Sequence, residues 1–340
     1  MSRIEAIAES PIKRHVDHTW SMWITPIGER ESLVAVEEFV RTQRIWGGFC
    51  CVFGAVTLVV FLACVPAVPR AAPLAGAQTS QEGTFHRQLW LVPSGEDGVL
   101  MRTTVYRPPG AGPFPLLLMN HGTTQNAERR RALPAPAFET LSQWFVRRGF
   151  VVALPQRPGH GETGGAYRED QGGCDDADFA GAGRGAAESI AAAVAYLTQQ
   201  RFIRRTGVVV AGQSAGGWAA LAMASRAPAG LRAVIDFAGG LGGRAFDRPD
   251  NNCAPDRLIA AAADYARGSR VPSLWIYTEN DSYFPPRLSR AMAEAYRAAG
   301  GQVEYALLPA FGADGHFMAD TDGGESVWGP LVERFLAKVR

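Results

Sequence analysis

The chain carries GVVVAGQSAGGWAALAMAS at residues 207–225, and this stretch decides which fold the remaining sequence can build. Its first part is a short continuous apolar run, typical of a strand buried on both faces. Its last part is a run of small helix-forming residues. Between them stands Ser214, flanked by Gly212 and Gly216, in the pattern G-x-S-x-G. A serine at a sharp strand-to-helix turn holds its hydroxyl exposed above the sheet, and the N-terminus of the following helix favours developing negative charge. The stretch therefore predicts an α/β protein with Ser214 as a nucleophile.

The sequence on both sides of this turn alternates between apolar runs and helical repeats. The strand candidates are Gln88–Val92, Leu100–Tyr106, Pro115–Asn120, Phe150–Leu154, Gly207–Ala211, Ala233–Phe237, Ser273–Thr278 and Val303–Leu308. Helices with a period near 3.6 lie between most of them, which indicates βαβ units. The first two candidates have no helix between them and predict an antiparallel edge. We therefore expect a mostly parallel sheet of about eight strands, flanked by helices.

Composition limits the classes of partner. The 340 residues are 47% hydrophobic, enough for a sizeable core, and carry 34 basic against 33 acidic side chains. A net charge of +1 gives no long-range field for nucleic acid or an anionic surface. Nothing resembles a metal site, and the glycines at 181–185 follow a loop instead of a strand, unlike a dinucleotide fingerprint. We expect no cofactor and no nucleic-acid partner.

The N-terminal region contains an uncharged apolar run, Ile45–Val65, with arginines before it and Ala-Gly-Ala at residues 75–77 after it. These are the parts of a secretory signal, and the run is also long enough to anchor the chain in a bilayer. Lipidation at Cys64 and a buried core helix are weaker alternatives. We expect residues 1–44 to be a tail or a mis-annotated start, 45–77 a signal peptide or membrane anchor, and 78–340 the folded domain. The protein is then exported, to the periplasm or outside the cell, or anchored in the membrane.

A serine hydroxyl needs a base, and the body of the chain offers four histidines, His86, His121, His160 and His316. His316 lies just past the last predicted strand, where a base can reach a nucleophile on the same sheet edge. His86 is expected at the surface, and His121 and His160 lie in glycine-flanked loops that favour packing or hydrogen bonding. His316 is therefore the predicted base.

The imidazole in turn needs an acceptor that fixes its tautomer. Asp281 follows the predicted strand SLWIYT and precedes a Phe-Pro-Pro turn, which is the best position for this acid. Asp236 and Asp314 are rivals, and Glu279 lies closer to the strand body.

The tetrahedral oxyanion needs two backbone donors. One is predicted to be the N–H of Ala215, directly after the nucleophile. The other is predicted to be the N–H of Thr123, in the loop NHGTT that follows the strand PLLLMN.

Two further features bear on the surroundings of this site. Cys174 and Cys253 stand outside the N-terminal region, and in an exported domain they make a disulfide possible. The glycine-rich stretches 155–182 and 238–256 follow strand ends, where ligand crevices form, and predict a small loop-rich cap. Arg157, or the arginine run 129–131, could contact an anionic substrate.

Taken together, these motifs resemble the α/β-hydrolase superfamily over residues 88–340, including its chain order of nucleophile, acid and histidine. The stretches NHGTT, GQSAGG, IYTENDSYFPP and GADGHFM look most like the dienelactone hydrolase and prolyl-oligopeptidase-like esterase branch. Dienelactone hydrolases proper use a cysteine nucleophile where this chain has Ser214, so the resemblance implies general carboxylesterase activity better than lactone hydrolysis. Prolyl oligopeptidases also carry a propeller that this chain lacks.

The sequence thus predicts hydrolysis of a small-molecule ester through an acyl-enzyme on Ser214, with His316 and Asp281. An exopeptidase or amidase using the same three residues is an alternative. A catalytically silent envelope-binding module on a hydrolase scaffold is another.

Overall fold

The computed structural model describes residues 74–339, and within them nine strands form one open sheet. The strands are β1 (Gly76–Ala77), β2 (Gln88–Pro93), β3 (Leu100–Tyr106), β4 (Leu116–Asn120), β5 (Val151–Pro155), β6 (Val208–Gln213), β7 (Leu231–Phe237), β8 (Ser273–Thr278) and β9 (Val303–Leu308). Their order across the sheet is β1-β2-β3-β5-β4-β6-β7-β8-β9. The three pairings β1–β2, β2–β3 and β3–β5 are antiparallel, and the other five pairings, among β4 to β9, are parallel.

The predicted mostly parallel sheet with an antiparallel edge is confirmed, with one strand more than expected. The extra strand is β1, in which Gly76 pairs with Leu91 and Ala77 with Trp90. Two residues held by backbone pairing alone leave no apolar pattern in the sequence. These residues close the segment expected to be a signal or anchor, while Ile45–Val65 lies outside the described residues.

The described part of the chain contains seven helices, and all but the first cover the two faces of the sheet. They are α1 (Ala127–Arg131), α2 (Glu139–Val146), α3 (Phe179–Leu197), α4 (Ala215–Ala224), α5 (Pro255–Gly268), α6 (Pro286–Ala298) and α7 (Gly324–Lys338). Helices α2 and α7 pack on one face around Trp144 and Trp328, and α3 to α6 form the core of the other face. Every residue of α4 is buried. None of the helices between residues 74 and 339 is both long and apolar enough to cross a bilayer.

Loops gather at the carboxyl ends of the parallel strands, where crevices form in open α/β sheets. One of them is shorter than predicted, because α3 begins at Phe179 inside the stretch 155–182 that we expected to be irregular. The Asp178 side chain caps this helix by accepting from the N–H of Gly181 at 2.7 Å. The stretch 238–254, between β7 and α5, contains only a short 3-10 turn at Ala245–Asp247.

Candidate active site

Ser214 occupies the turn between β6 and α4 in a strained backbone conformation, with φ 57° and ψ −125°. Its N–H donates to the carbonyl of Phe237 at 3.0 Å, which ties the turn to the neighbouring strand. A Cβ on Gly212 or Gly216 would collide with backbone atoms, those of Gly216 and Asn120 respectively. The two glycines of the motif are therefore required by the close approach of the chain at this turn. The serine side chain is partly exposed and its hydroxyl donates no hydrogen bond to the described residues.

His316 lies in a 3-10 turn, Gly315–Asp320, after β9, and Asp281 lies after β8. The ring Nδ1 of His316 is 3.1 Å from Oδ1 of Asp281 and 3.3 Å from Oδ2. Oδ1 also accepts from the backbone N–H groups of Tyr283 and Phe284, at 2.9 and 3.0 Å. These donors stabilise a carboxylate, which accepts the Nδ1 proton and leaves Nε2 of the imidazole with a free lone pair.

The imidazole is held in place by aromatic rings and by the serine turn. The ring of Tyr283 stacks on His316 with centroids 4.0 Å apart and planes 19° apart. Phe317 meets the same imidazole edge-on at 5.2 Å. The side chain of Gln213, next to the serine, donates to the carbonyl of His316 at 3.0 Å. This last bond connects the nucleophile turn directly to the histidine turn.

The rival acids have other roles. Asp314 accepts from the N–H of His316 at 3.1 Å and from Ser282, so it joins the histidine turn to the acid turn. Asp236 is fully buried beneath the serine turn and accepts from the hydroxyl of Tyr277 at 3.3 Å. Burial raises the pKa of Asp236 well above its ordinary value, which favours the neutral carboxyl group. Glu279 is exposed.

The two predicted oxyanion donors border the serine. Ala215 begins α4, and neither its N–H nor that of Thr123 donates to another group among the described residues. A Cβ on Gly122 would lie 3.3 Å from Cβ of Ser214, so the loop carrying Thr123 passes directly over the nucleophile. The side chain of Thr123 points elsewhere, since its hydroxyl is 2.6 Å from Nε2 of His160.

A buried polar network fixes this loop from behind. Arg157 is fully buried and donates from Nε and Nη2 to the carboxylate of Glu169, at 2.5 and 2.8 Å. Its Nη1 donates to the carbonyl of His121 at 2.7 Å, and its backbone N–H donates to the His121 ring at 3.1 Å. The suggestion that Arg157 contacts substrate is therefore wrong, because its guanidinium is used entirely inside the protein.

Both histidines of this network are neutral bases. Burial lowers the pKa of His121 well below its ordinary value, with the nearby positive charge of Arg157 adding to the effect. Burial also lowers the pKa of His160. The His160 Nδ1 lies 3.1–3.2 Å from two carbonyl oxygens, so this nitrogen carries the proton and Nε2 accepts from Thr123.

Sequence reasoning missed Glu169 and Tyr283. The acid lies in a glycine-rich stretch with no periodicity, twelve residues from its partner Arg157. The tyrosine stands two residues after Asp281, and nothing in that spacing indicates that its ring will cover the imidazole.

Two cavities meet at Ser214. The wide cleft, about 880 Å³, is bordered by the oxyanion loop, the start of α4 and the stretches 171–175 and 240–247. The narrow pocket, about 370 Å³, is bordered by residues 121–124 and 133–138, and by Tyr283, His316 and Phe317. Cys174 and Cys253 form a disulfide that joins two loops on the wall of the wide cleft. Thr123 and Ser214 line both cavities, Ala215 lines only the wide cleft and His316 only the narrow pocket.

Among residues 74–339, no cluster of three or more His, Cys, Asp or Glu side chains could hold a metal ion. The arginine run 129–131 is largely exposed, and Arg129 is the member of it that borders the wide cleft.

Comparison with known proteins agrees with this architecture. Residues 97–255 match the model of the S15 family of X-Pro dipeptidyl-peptidases, a range that contains Thr123 and Ser214 but ends before Asp281 and His316. A search of curated proteins gives no match.

Solved structures with the same fold include esterases and peptidases. A Klebsiella pneumoniae protein described as a dienelactone hydrolase matches with 17% identity and a TM-score of 0.52, over 73% of this chain and 97% of its own. Acetyl xylan esterase 1 from Thermoanaerobacterium matches with 16% identity and a TM-score of 0.54, over 78% and 87%. Acylaminoacyl peptidase from Pyrococcus horikoshii matches with 14% identity and a TM-score of 0.54, over 76% of this chain but 42% of its own.

The predicted α/β-hydrolase fold is thereby confirmed, and the chain is related to the α/β-hydrolases. The family match and these neighbours support an enzyme of the serine hydrolase type.

Proposed function

We propose that the protein is a serine hydrolase that cleaves carboxylic esters through an acyl-enzyme on Ser214. One observation carries the proposal. A partly exposed serine in a strained turn opens onto the same 370 Å³ pocket as an imidazole that is oriented by a buried aspartate 3.1 Å away. A nucleophile, a base and the group that orients the base are the minimum set for this chemistry.

The reaction then follows from the positions of the groups. Ser214 Oγ attacks the ester carbonyl carbon while its proton passes to Nε2 of His316, and Asp281 stabilises the imidazolium. The N–H groups of Thr123 and Ala215 donate to the oxyanion. Collapse of the tetrahedral intermediate breaks the bond to the leaving oxygen, which takes the proton from His316. Water then attacks the acyl-enzyme with the same base, releasing the acid and restoring Ser214.

The missing hydrogen bond between Ser214 and His316 does not conflict with this sequence of steps. In structures without substrate, catalytic hydrogen bonds are often long and shorten only in the reacting complex. The described residues include no group that competes for the Ser214 hydroxyl.

Kinetics on two substrate series test the proposal. We expect aryl esters to be hydrolysed with kcat/KM at least about a hundredfold above matched aryl amides, and Ser214→Ala to lower kcat by a factor on the order of 10⁴ to 10⁶. Circular dichroism of the variant controls for folding. Near-normal ester turnover by Ser214→Ala would overturn the proposal.

The match to X-Pro dipeptidyl-peptidases favours a second candidate, hydrolysis of aminoacyl amides by the same residues. A preference for aminoacyl amides over esters, still dependent on Ser214, would select it. Absence of both activities, with no labelling of Ser214 by a fluorophosphonate, would instead support a silent binding module.

We also propose that the protein is exported or membrane-anchored. The disulfide between Cys174 and Cys253 supports this, since such bonds persist mainly in oxidising compartments. Cell fractionation with N-terminal sequencing of the mature chain tests it, and a reduced protein recovered from the cytosol would contradict it.

A further inference from the structure

The two cavities that meet at Ser214 differ in which catalytic groups they contain, and this difference assigns their roles. His316 must hand its proton to the leaving atom, so that atom has to lie within hydrogen-bonding reach of Nε2. Only the narrow pocket is bordered by His316, whereas only the wide cleft is bordered by Ala215. The leaving group of a substrate held on both oxyanion donors therefore extends into the narrow pocket, and the acyl part extends into the wide cleft.

The walls of the narrow pocket are mainly apolar. The segment Leu133–Phe138, which reads Leu-Pro-Ala-Pro-Ala-Phe, forms one side, and the rings of Tyr283 and Phe317 form the other. Phe317 is 48% exposed, so part of its ring is accessible to a ligand in this pocket. Burial of such a ring against an apolar ligand is favourable at about 25 cal/mol per Å².

The only formal charge at the border of this pocket among the described residues is negative. No lysine or arginine borders it among the described residues, and Asp320 is its acidic side chain. His121, which also borders it, is neutral because burial lowers the pKa of its ring. Burial and the neighbouring Asp322 raise the pKa of Asp320 to about 6, so the carboxylate is charged at pH 8. The wide cleft differs, since Arg129 and Arg244 there accompany Asp175 and Asp247.

From these observations we propose that the enzyme selects esters by their leaving group, taking an apolar alcohol that is neutral or cationic and discriminating against an anionic one. The proposal rests on the proposed ester hydrolysis at Ser214 and specifies the substrate class of that site. It also disfavours the peptidase alternative where the leaving group is a free amino acid, because the carboxylate of that amino acid would lie near Asp320 and be repelled by it.

A set of three esters of one acid tests the charge preference. The alcohols are benzyl alcohols with a para methyl, aminomethyl or carboxylate substituent, which differ in charge far from the bond that breaks. At pH 8 and low ionic strength we expect kcat/KM for the carboxylate compound to be about three- to fivefold below that for the methyl compound. Added salt should reduce this ratio, because it screens exposed charges.

Variants assign the effect to the pocket. Asp320→Asn should bring the ratio of methyl to carboxylate ester close to one, whereas Glu279→Gln, an exposed acid that borders neither cavity, should leave it unchanged. An unchanged ratio in Asp320→Asn would overturn the proposal. The proposal would also be overturned if Asp320→Asn changed the preference of the enzyme for charge on the acyl group and left its preference for charge on the alcohol unchanged.

Two bulky substitutions test the direction of the substrate independently of charge. Ala135→Phe narrows the pocket that contains His316, and Ala245→Phe narrows the wide cleft. In a series of esters that differ in the alcohol, we expect Ala135→Phe to lower the ratio of kcat/KM for the hexyl ester to kcat/KM for the methyl ester at least fivefold. We expect Ala245→Phe to lower the corresponding long-to-short ratio only in a series of esters that differ in the acyl chain. The reverse pattern would overturn the proposal. Because each readout is a ratio of Ser214-dependent rates, the proposal can fail while ester hydrolysis itself is upheld.

Discussion

At Ser214 the chain adopts φ 57° and ψ −125°, a conformation that side chains with a Cβ rarely adopt and that costs of order 1–3 kcal/mol. The hydrogen bond from its N–H to Phe237 and the crowded glycines on either side hold it there. Strain of this kind, held at a partly exposed hydroxyl, agrees with the proposed role of Ser214 as the nucleophile.

Two substitutions that both remove the Ser214 hydroxyl should differ in stability, because they differ in how easily they adopt a positive φ. We expect Ser214→Gly to be more stable than Ser214→Ala by about 1 kcal/mol, because only glycine relieves the positive φ. Urea unfolding of the two variants measures the difference. If the alanine variant is the more stable one, the turn is not strained as described.

Asp281 is buried, contacts the imidazole of His316 and borders neither cavity, so its proposed role is to orient that imidazole. We expect Asp281→Asn to lower kcat for esters by about 10³ to 10⁴, because an amide favours the wrong tautomer of His316. Glu279→Gln, two residues away and exposed, is the matched control and should change kcat less than twofold. Comparable losses in the two variants would argue against the role of Asp281.

At the scale of elements, the loop after β4 carries Thr123, whose N–H is one of the two proposed oxyanion donors. This loop is fixed by the loop after β5, through Arg157, Glu169 and the two buried histidines. A pair of loops locked by buried charges provides backbone donors that need no reorganisation when the oxyanion forms.

Removing one member of the buried Arg157–Glu169 pair should destabilise the protein. We expect Arg157→Met to lower the free energy of unfolding by about 3–5 kcal/mol, because it leaves the Glu169 carboxylate buried without a partner. The double variant Arg157→Met/Glu169→Leu should recover a large part of that loss. Urea unfolding of the three proteins tests this, and additive losses in the double variant would contradict it.

At the scale of the whole molecule, the sequence predicted the sheet well because its strands are short, strongly patterned segments. The bounds of β3, β8 and β9 are those predicted, and Ser214, Asp281 and His316 lie at strand ends on one sheet edge. The start of α3 was missed because the three glycines at 181, 183 and 185 are poor helix formers and resemble a loop.

Contacts between side chains of different loops could not be predicted from the sequence, for a different reason. The Arg157–Glu169 pair and the contact of Tyr283 with His316 depend on how irregular loops fold over the sheet. No periodicity records such contacts, and only the three-dimensional arrangement brings them together.

The buried histidines give the whole fold a dependence on pH. The pKa of His160 is lowered in the folded protein, so the unfolded chain binds more protons below about pH 6.5 and the folded state loses stability as pH falls through that range. We expect His160→Gln, which can still accept from Thr123, to reduce the loss of unfolding free energy between pH 7 and 5.5 by about 1 kcal/mol. The raised pKa of Asp236 makes the folded state more stable as pH falls, but this effect is the same in the wild-type protein and in His160→Gln. Parallel stability curves for the two proteins would contradict this assignment.

The most direct test of the central claim is covalent labelling of the purified protein with a fluorophosphonate, followed by peptide mapping. We predict one modified residue, Ser214, and loss of labelling in His316→Ala, because the hydroxyl needs that base to react. Labelling at another serine, or none at all in a folded protein that contains the disulfide, would contradict the account.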